Sequence, residues 1–327
     1  MNKELISRVD EIAFNNECEL IDMNYLLVDH TEYFLDELHP SFLGVNVIAG
    51  RLYEAVVQKE KKLFNLFSKI KQTKTITSFY GYECASFTFL DRECKVVKPK
   101  RAADGLPWIW RARFWGVAAQ TDVSLLERGF HVVYCDVAEL FGNTEAIQLW
   151  NRFYNYMYHA GLSRKVVLEG MSRGGIYIYN WAVLNADKIA CIYADAPVLD
   201  MKSWPGGKGL GTGSKNDWEI FKKDYGFTTE EQATQFKGNP LDNVTIIAKG
   251  GYPILHVVGD ADQAVPVTEN TGLFEQRIKA LGGKIKVIHK PKVGHSHGLL
   301  NPTPIVDFIL NATHQKINFM ILSSSGC

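Results

Sequence analysis

The residues of this chain that could do chemistry gather around Ser172 in the run Gly170, Met171, Ser172, Arg173, Gly174, and in two later loops. One of these carries Asp260 and Asp262, the other His295 and His297. A serine hydroxyl is a weak nucleophile at neutral pH. It needs a base within hydrogen-bond reach, and the base needs a partner that fixes its tautomer. The stretch 166–177 offers a setting for such a serine: Val166, Val167 and Leu168 read as an apolar strand, the strand breaks at Gly170, and the chain re-emerges as an apolar-periodic helix through Tyr179, Trp181 and Leu184. Side chains two before and two after the serine would collide with the neighbouring strand and helix, which accounts for glycine at both places. Such a turn holds the hydroxyl proud of the sheet, and the helix N-terminus aims N–H groups at any oxyanion forming beside it. Ser172 is the expected nucleophile.

The partners lie at the ends of later strands. A strand over 253–260 runs into Gly259, Asp260, Ala261 and Asp262, so two carboxylates compete for the acid role. The next strand, 284–290, runs into Gly294, His295, Ser296, His297 and Gly298. A histidine just after glycine at a strand's end is where a base should hang, which fits His295. His297 is its rival, with hydrogen bonding behind the base as its other expected job. No cysteine or third histidine sits nearby, so no metal is expected, and no cofactor. His131, His159, His256, His289 and His314 fall in strand or helix contexts and are expected to be structural.

Those loops need elements to carry them. From 131 onward strands and helices alternate: strand 131–136, helix 144–160, strand 165–170, the helix after Ser172, strand 189–195, strand 253–260, helix 268–281, strand 284–290 and helix 304–312. That pattern predicts an α/β fold with a mostly parallel central sheet covered by helices on both faces. Ahead of it, strand-like runs at 75–89 and 93–98 form a hairpin. Pro107 then opens a strongly aromatic strand, 108–115, followed by a helix over 121–128. Trp108, Trp110 and Trp115 on that strand are expected as core, with its exposed end able to stack on a sugar face. The Gly-rich stretch 201–240 interrupts the alternation and is expected to be an active-site insertion.

With 327 residues the chain can bury a large α/β core and still leave an appendage. Lys plus Arg equals Asp plus Glu, 36 each, so there is no global field to draw in nucleic acid or anionic lipid, and neither is expected as a partner. No run approaches the roughly 20 apolar residues that span a bilayer. The start of the chain is an amphipathic polar helix with Leu5, Ile6, Val9, Ile12 and Phe14 on one face and lacks the look of a signal peptide, so the chain as it stands reads as cytoplasmic. Six scattered cysteines, without CxxC spacing, are expected as free, mostly buried thiols. The expected division is 1–57 as a small helical appendage, 58–74 as a linker helix, 75–315 as the main domain and 316–327 as a tail.

Two resemblances add to this. Asp36, His39 and Pro40, followed by Gly44 and an apolar helix over 42–57, resemble the final block of the SGNH (GDSL-type) esterases. The resemblance implies that residues 1–57 are the remnant of such a domain. Asp36 and His39 have no nucleophile there and are expected to be a structural pair. The stretch 81–311 resembles the α/β-hydrolase superfamily, and within it bacterial serine hydrolases with prolyl-oligopeptidase-like or acetylxylan-esterase-like domains. PWIWRARFWG, LEGMSRGG, YADAPV, SWPGGKG, GDADQAVP and NPTPIVDFIL carry it.

This second resemblance implies the chain order nucleophile, acid, base. The G-x-x-D-x-x-V-P spacing selects Asp262 as the acid and leaves Asp260 to a supporting role. The oxyanion donors it implies are the N–H of Arg173 and that of Trp115, with Phe114 close behind, although Arg113 and Phe114 stand where many relatives carry His-Gly. It further implies ester hydrolysis through an acyl-enzyme on a small-molecule or carbohydrate ester, with some relatives exported. The alternatives are a prolyl-oligopeptidase-type peptidase and a catalytically impaired module.

Overall fold

Strands that are apolar on both faces demand cover on both faces. The computed structural model describes residues 64–315 and 38–57 throughout and part of residues 8–36. Its sheet comprises β1 (Lys74–Phe79), β2 (Tyr82–Phe89), β3 (Arg92–Val97), β4 (Trp108–Ala112), β5 (His131–Cys135), β6 (Val166–Met171), β7 (Ile189–Asp195), β8 (Ile254–Gly259) and β9 (Ile285–Lys290). The spatial order is β1-β2-β3-β5-β4-β6-β7-β8-β9. The first three strands and the β3–β5 pair are antiparallel, and every other pair is parallel.

Alternation along the strands feeds two cores. Trp108, Trp110, Leu168, Ile192 and Ile254 face α3 (Thr144–His159), α4 (Gly174–Leu184) and α8 (Thr271–Ala280); Ile109, Val167, Tyr193 and Leu255 face α2 (Gln120–Glu127) and α9 (Thr303–Ala312). Helix α3 starts where the Asn143 side chain accepts the Ala146 N–H at 3.0 Å. Helix α4 is apolar nearly all round, with Ile176 to Ala182 buried, as befits a helix pressed between the sheet and its neighbours.

The aromatic strand is core. Trp108 and Trp110 are fully buried, and Trp110 packs against Trp150 and Trp181 at centroid distances of 4.3 and 5.5 Å. Trp115 is half-buried and lies against Phe79 and Tyr134, so this end of the strand offers packing in place of a free stacking face.

Two expectations change. The run 75–89 is two strands, because Tyr80 and Gly81 turn the chain at φ of 50° and 82°, and Leu90 and Asp91 make a second such turn at 50° and 60°. Positive φ at both central residues is the geometry that suits the twist of a hairpin. Of the linker 58–74, residues 58–63 lie outside the described residues; the rest contains only a short 3-10 turn at Leu66–Ser68, which buries Leu66 and Phe67, where a continuous helix is expected.

In the appendage, α1 (Phe42–Val57) covers the expected range and sends Val47 into the second core. An Arg51–Glu127 ion pair ties it to α2. Residues 8, 9 and 11–13 are helical, with Val9 and Ile12 exposed. The 201–240 stretch contains α5 (Lys215–Asp224) and α6 (Glu230–Thr234), and α7 (Val244–Lys249) follows it. Cys84, Cys94, Cys135 and Cys191 are buried free thiols and Cys18 is an exposed one, whereas Cys327 lies outside the described residues. Among the described residues no helix is long and apolar enough to cross a membrane, and no group of three or more His, Cys, Asp or Glu could hold a metal ion.

Two buried histidines make the fold sensitive to acid. Burial pulls His131 down to about 4 and His256 down to about 3. The unfolded chain binds these protons near pH 6.5 while the native state does not, so stability falls as pH drops from about 6.5 towards 4. The urea midpoint of the protein is expected to fall over that window. In His131→Leu the fall is expected to be shallower by the slope of one proton, at most about 1.4 kcal/mol per pH unit.

Candidate active site

Ser172 leaves β6 with φ of 48°, a left-handed conformation that costs a non-glycine residue of order 1–3 kcal/mol. Its surroundings over-determine it. Its N–H donates to Asp195 O at 2.8 Å, and its carbonyl accepts the N–H groups of Gly175 and Val198, both at 2.9 Å. A Cβ on Gly170 would lie 2.7 Å from Gly174 O, and one on Gly174 would lie 2.7 Å from Ala112 O, so both glycines are required by backbone contact.

The downstream loops deliver their side chains to this turn. His295 Nε2 stands 3.0 Å from Ser172 Oγ, and His295 Nδ1 stands 2.6 Å from Asp262 Oδ2. With Nδ1–H donating to the carboxylate, Nε2 is left to accept the serine proton. The other oxygen of Asp262 accepts the N–H groups of Ala264 and Val265, both at 2.9 Å, which fixes a carboxylate whose side chain is 1% exposed.

The remaining candidates separate. Asp260 lies away from the triad: its half-exposed carboxylate takes the ring of His289, the register partner of Val258 on β8, at 2.6 Å. His297 contacts the triad from the side, its ring edge-on to His295 at 4.9 Å and stacked on Phe114 at 6.3 Å, with Nδ1 3.3 Å from Asp195 Oδ1. Asp36 and His39 pair at 2.8 Å on the surface, with Asp36 also accepting the N–H groups of Leu38 and His39. These bonds hold the Asp36 carboxyl below its usual range. The hydroxyl of nearby Ser41 is given to Glu32 O.

The two main-chain groups expected to meet an oxyanion are the N–H of Arg173 and that of Trp115. Arg173 is the N-cap of α4, where helical donors have no partner within the helix. On the other side, the chain reverses after Ala112 through Arg113, Phe114 and Gly116, all at positive φ. The Phe114 carbonyl accepts from Arg111 Nε at 3.2 Å and from Val117 N at 3.1 Å. In a trans peptide the N–H points opposite to the C=O, so the Trp115 N–H faces away from Arg111.

Sequence reasoning did not find the groups beneath. Arg111, 1% exposed, forms an ion pair with buried Asp122, donates to Val117 O, and lies 3.4 Å from Glu169 Oε1 and 3.2 Å from Met171 Sδ. Burial raises the Glu169 carboxyl well above its ordinary value, against the pull of Arg111. Asp195, also fully buried, was missed as well, although its place at the end of a strand in YADAPV was a signal. The 201–240 stretch is tied to the residue next to the serine. Arg173 Nη1 bonds Asp217 Oδ1 at 2.7 Å, and its guanidinium lies 4.8 Å from the Phe141 ring and 5.6 Å from that of Trp204.

The profile of the prolyl oligopeptidase family matches residues 154–312, a span that holds Ser172, Asp262 and His295. Among solved structures the chain is similar to a puromycin hydrolase (TM-score 0.54, 18% identity, 75% of this chain and 40% of that one). It is similar to the Pyrococcus horikoshii acylaminoacyl peptidase (TM-score 0.55, 15% identity, 79% and 45%) and to Est1E from Butyrivibrio proteoclasticus (TM-score 0.50, 16% identity, 74% and 99%). The fold is the α/β-hydrolase fold.

The chain spans less than half the length of the puromycin hydrolase and of the acylaminoacyl peptidase. No curated protein matches it by sequence. The resemblance of residues 1–57 to SGNH esterases finds no support in these comparisons. In α/β-hydrolases the nucleophile follows a strand on a strained turn of this kind, and the acid and base follow later strands.

The strain at Ser172 has a measurable consequence. Ser172→Gly and Ser172→Ala both remove the hydroxyl, but only glycine occupies the left-handed region at no steric cost. Ser172→Gly is expected to be about 1 kcal/mol more stable than Ser172→Ala in urea titration, with both variants inactive.

Proposed function

We propose that the chain is a serine hydrolase that cleaves carboxylic esters through an acyl-enzyme. The observation that carries this reading is the continuous hydrogen-bonded line from Ser172 Oγ through His295 to Asp262, at 3.0 and 2.6 Å. His295 Nε2 takes the hydroxyl proton as Oγ attacks the ester carbonyl. Asp262 stabilises the imidazolium, and the N–H groups of Arg173 and Trp115 hold the oxyanion. His295 then gives its proton to the leaving alkoxide, and water, activated by the same imidazole, releases the acid and frees Ser172. The substrate proposed is a small-molecule ester or an acyl group on a carbohydrate; the carbohydrate is carried over from the resemblance of 81–311.

A second reading is favoured by the family match over 154–312, which is to peptidases by name. The same machinery accepts an amide when His295 protonates a leaving amine. The two readings separate by comparing p-nitrophenyl acetate with a peptidyl p-nitroanilide that has proline before the scissile bond. A kcat/KM for the ester at least about 100-fold above that for the anilide is expected, and a ratio below tenfold would move the assignment to a peptidase. Ser172→Ala and His295→Ala are each expected to lose about 10⁴-fold or more in kcat and all labelling by a fluorophosphonate. A wild-type rate in Ser172→Ala would leave the esterase without its nucleophile.

A further inference from the structure

Asp195 is the last residue of β7 and lies in register with Met171, the residue before Ser172. Its main chain and its side chain serve different partners. The carbonyl accepts the Ser172 N–H at 2.8 Å. The carboxylate reaches across to the loop that carries His295: Oδ2 accepts the Gly298 N–H at 2.7 Å and the Tyr193 hydroxyl at 2.7 Å, and Oδ1 accepts from His297 Nδ1 at 3.3 Å. Lys290, at the end of β9, closes the arrangement from the other side. Its ammonium donates to Ser296 O at 2.5 Å and to Gly298 O at 3.3 Å, and stands 3.8 Å from Asp195 Oδ1. The two side chains are 0% and 12% exposed.

We propose that Asp195 and Lys290 are positioning residues that set the reach of His295 to Ser172, by pinning residues 296–298 from a fixed point on the nucleophile's own strand neighbour. The proposal rests on reading Ser172 and His295 as nucleophile and base. It goes beyond that reading by naming what fixes their separation. Neither side chain touches the reacting atoms. Among the described residues His295 is bonded only through its ring, to Asp262 and Ser172, so the place of its backbone is decided by the residues on either side. On the C-terminal side those residues are held by charged groups, whose hydrogen bonds are roughly twice as strong as neutral ones. The ring of His297, seated between Asp195, His295 and Phe114, extends the same support to the turn carrying the proposed oxyanion donor Trp115.

A displacement of about 1 Å in a reacting group costs on the order of 100-fold in rate. Asp195→Asn turns one of the two acceptor oxygens into a donor, facing either Gly298 or His297, and removes the charge that faces Lys290; Lys290→Met keeps the apolar stem without the charge. Each is expected to lower kcat on p-nitrophenyl acetate by about 30- to 100-fold with KM changed less than threefold, and to slow fluorophosphonate labelling in parallel.

His297 supplies the readout that general destabilisation does not move. His297→Asn, whose amide nitrogen occupies the place of Nδ1, is expected to stay within threefold of wild type, whereas His297→Ala loses at least tenfold. Circular dichroism melts accompany each variant; should Asp195→Asn fail to fold, Lys290→Met and the His297 pair decide. Labelling of folded Asp195→Asn or Lys290→Met at the wild-type rate, or equal rates for His297→Asn and His297→Ala, overturns the proposal while leaving the hydrolase reading standing. Failure of the wild-type protein itself to hydrolyse ester or take label overturns the hydrolase reading, and this proposal with it.

Discussion

Ser172 sits in a backbone region that serine avoids, and the rest of the molecule is arranged so that it cannot leave. The strain is of order 1–3 kcal/mol, comparable to two or three ordinary hydrogen bonds. Three main-chain bonds to the serine, from Asp195, Gly175 and Val198, together hold it. Those partners belong to β7, α4 and the segment after β7, so the turn is held only when strand, helix and neighbouring strand are all in place. The close approaches at Gly170 and Gly174 say the same from the side of sterics, since the elbow helix packs on the end of β4 with no room for a methyl group. As the proposed nucleophile, a serine held this way presents its hydroxyl to His295 without rearrangement of its backbone, which is the condition for preorganised catalysis.

Beneath the turn runs a row of polar groups that an apolar core would normally exclude. Arg111 on β4, Glu169 on β6 and Tyr193 on β7 are register partners across the sheet, with Asp122 reaching in from α2 and Asp195 lying two residues beyond Tyr193. Burying one unpaired charge there would cost several kcal/mol. Here Arg111 is paired with Asp122, burial drives Glu169 towards its neutral acid, and Asp195 faces Lys290, so the row carries little net charge. Its value is geometric. Arg111 holds the carbonyls of Phe114 and Val117 and so shapes the turn at the end of β4, and Asp195 holds the histidine loop. Replacing this row by well-packed apolar side chains would leave the turn after β4 and the histidine loop without these anchors.

What the sequence made legible follows from what kind of interaction places each residue. Ser172 was legible because glycine spacing and a strand-to-helix change of period are local. Asp262 and His295 were legible as candidates because their loops follow successive strands, and the choice of Asp262 over Asp260 came from the resemblance of the G-x-x-D-x-x-V-P spacing. The parallel order of strands from 131 onward came from the same alternation. The split of 75–89 was missed because Tyr80, unlike glycine or asparagine, does not advertise a positive φ, and only Gly81 marked the place. Asp260 was credited with a supporting part in the site because it lies two residues from Asp262, but its carboxylate is taken by His289 on the neighbouring strand. Arg111, Asp122 and Glu169 were illegible for the opposite reason. Each looks like an ordinary polar residue in an apolar strand or helix, and its partner is set by sheet register and helix docking, which no window of sequence contains.

The same reasoning bears on Arg173. A cation next to the nucleophile invites the idea of an anionic substrate, but its charge is already engaged. Asp217 takes one arm of the guanidinium, and its face lies against Phe141 and Trp204. Burial and the nearby charge of Arg113 lower its affinity for its proton, which is the mark of a cation held by packing as much as by charge. Arg173 is better understood as a strut. One end begins the elbow helix, and the other fixes Trp204 and α5 of the 201–240 stretch over it. The strut and the proposed oxyanion donor are the same residue, so the stretch is joined through one side chain to the start of α4 beside Ser172. Binding contacts made far from the serine can in this way act on the chemical step as well as on affinity.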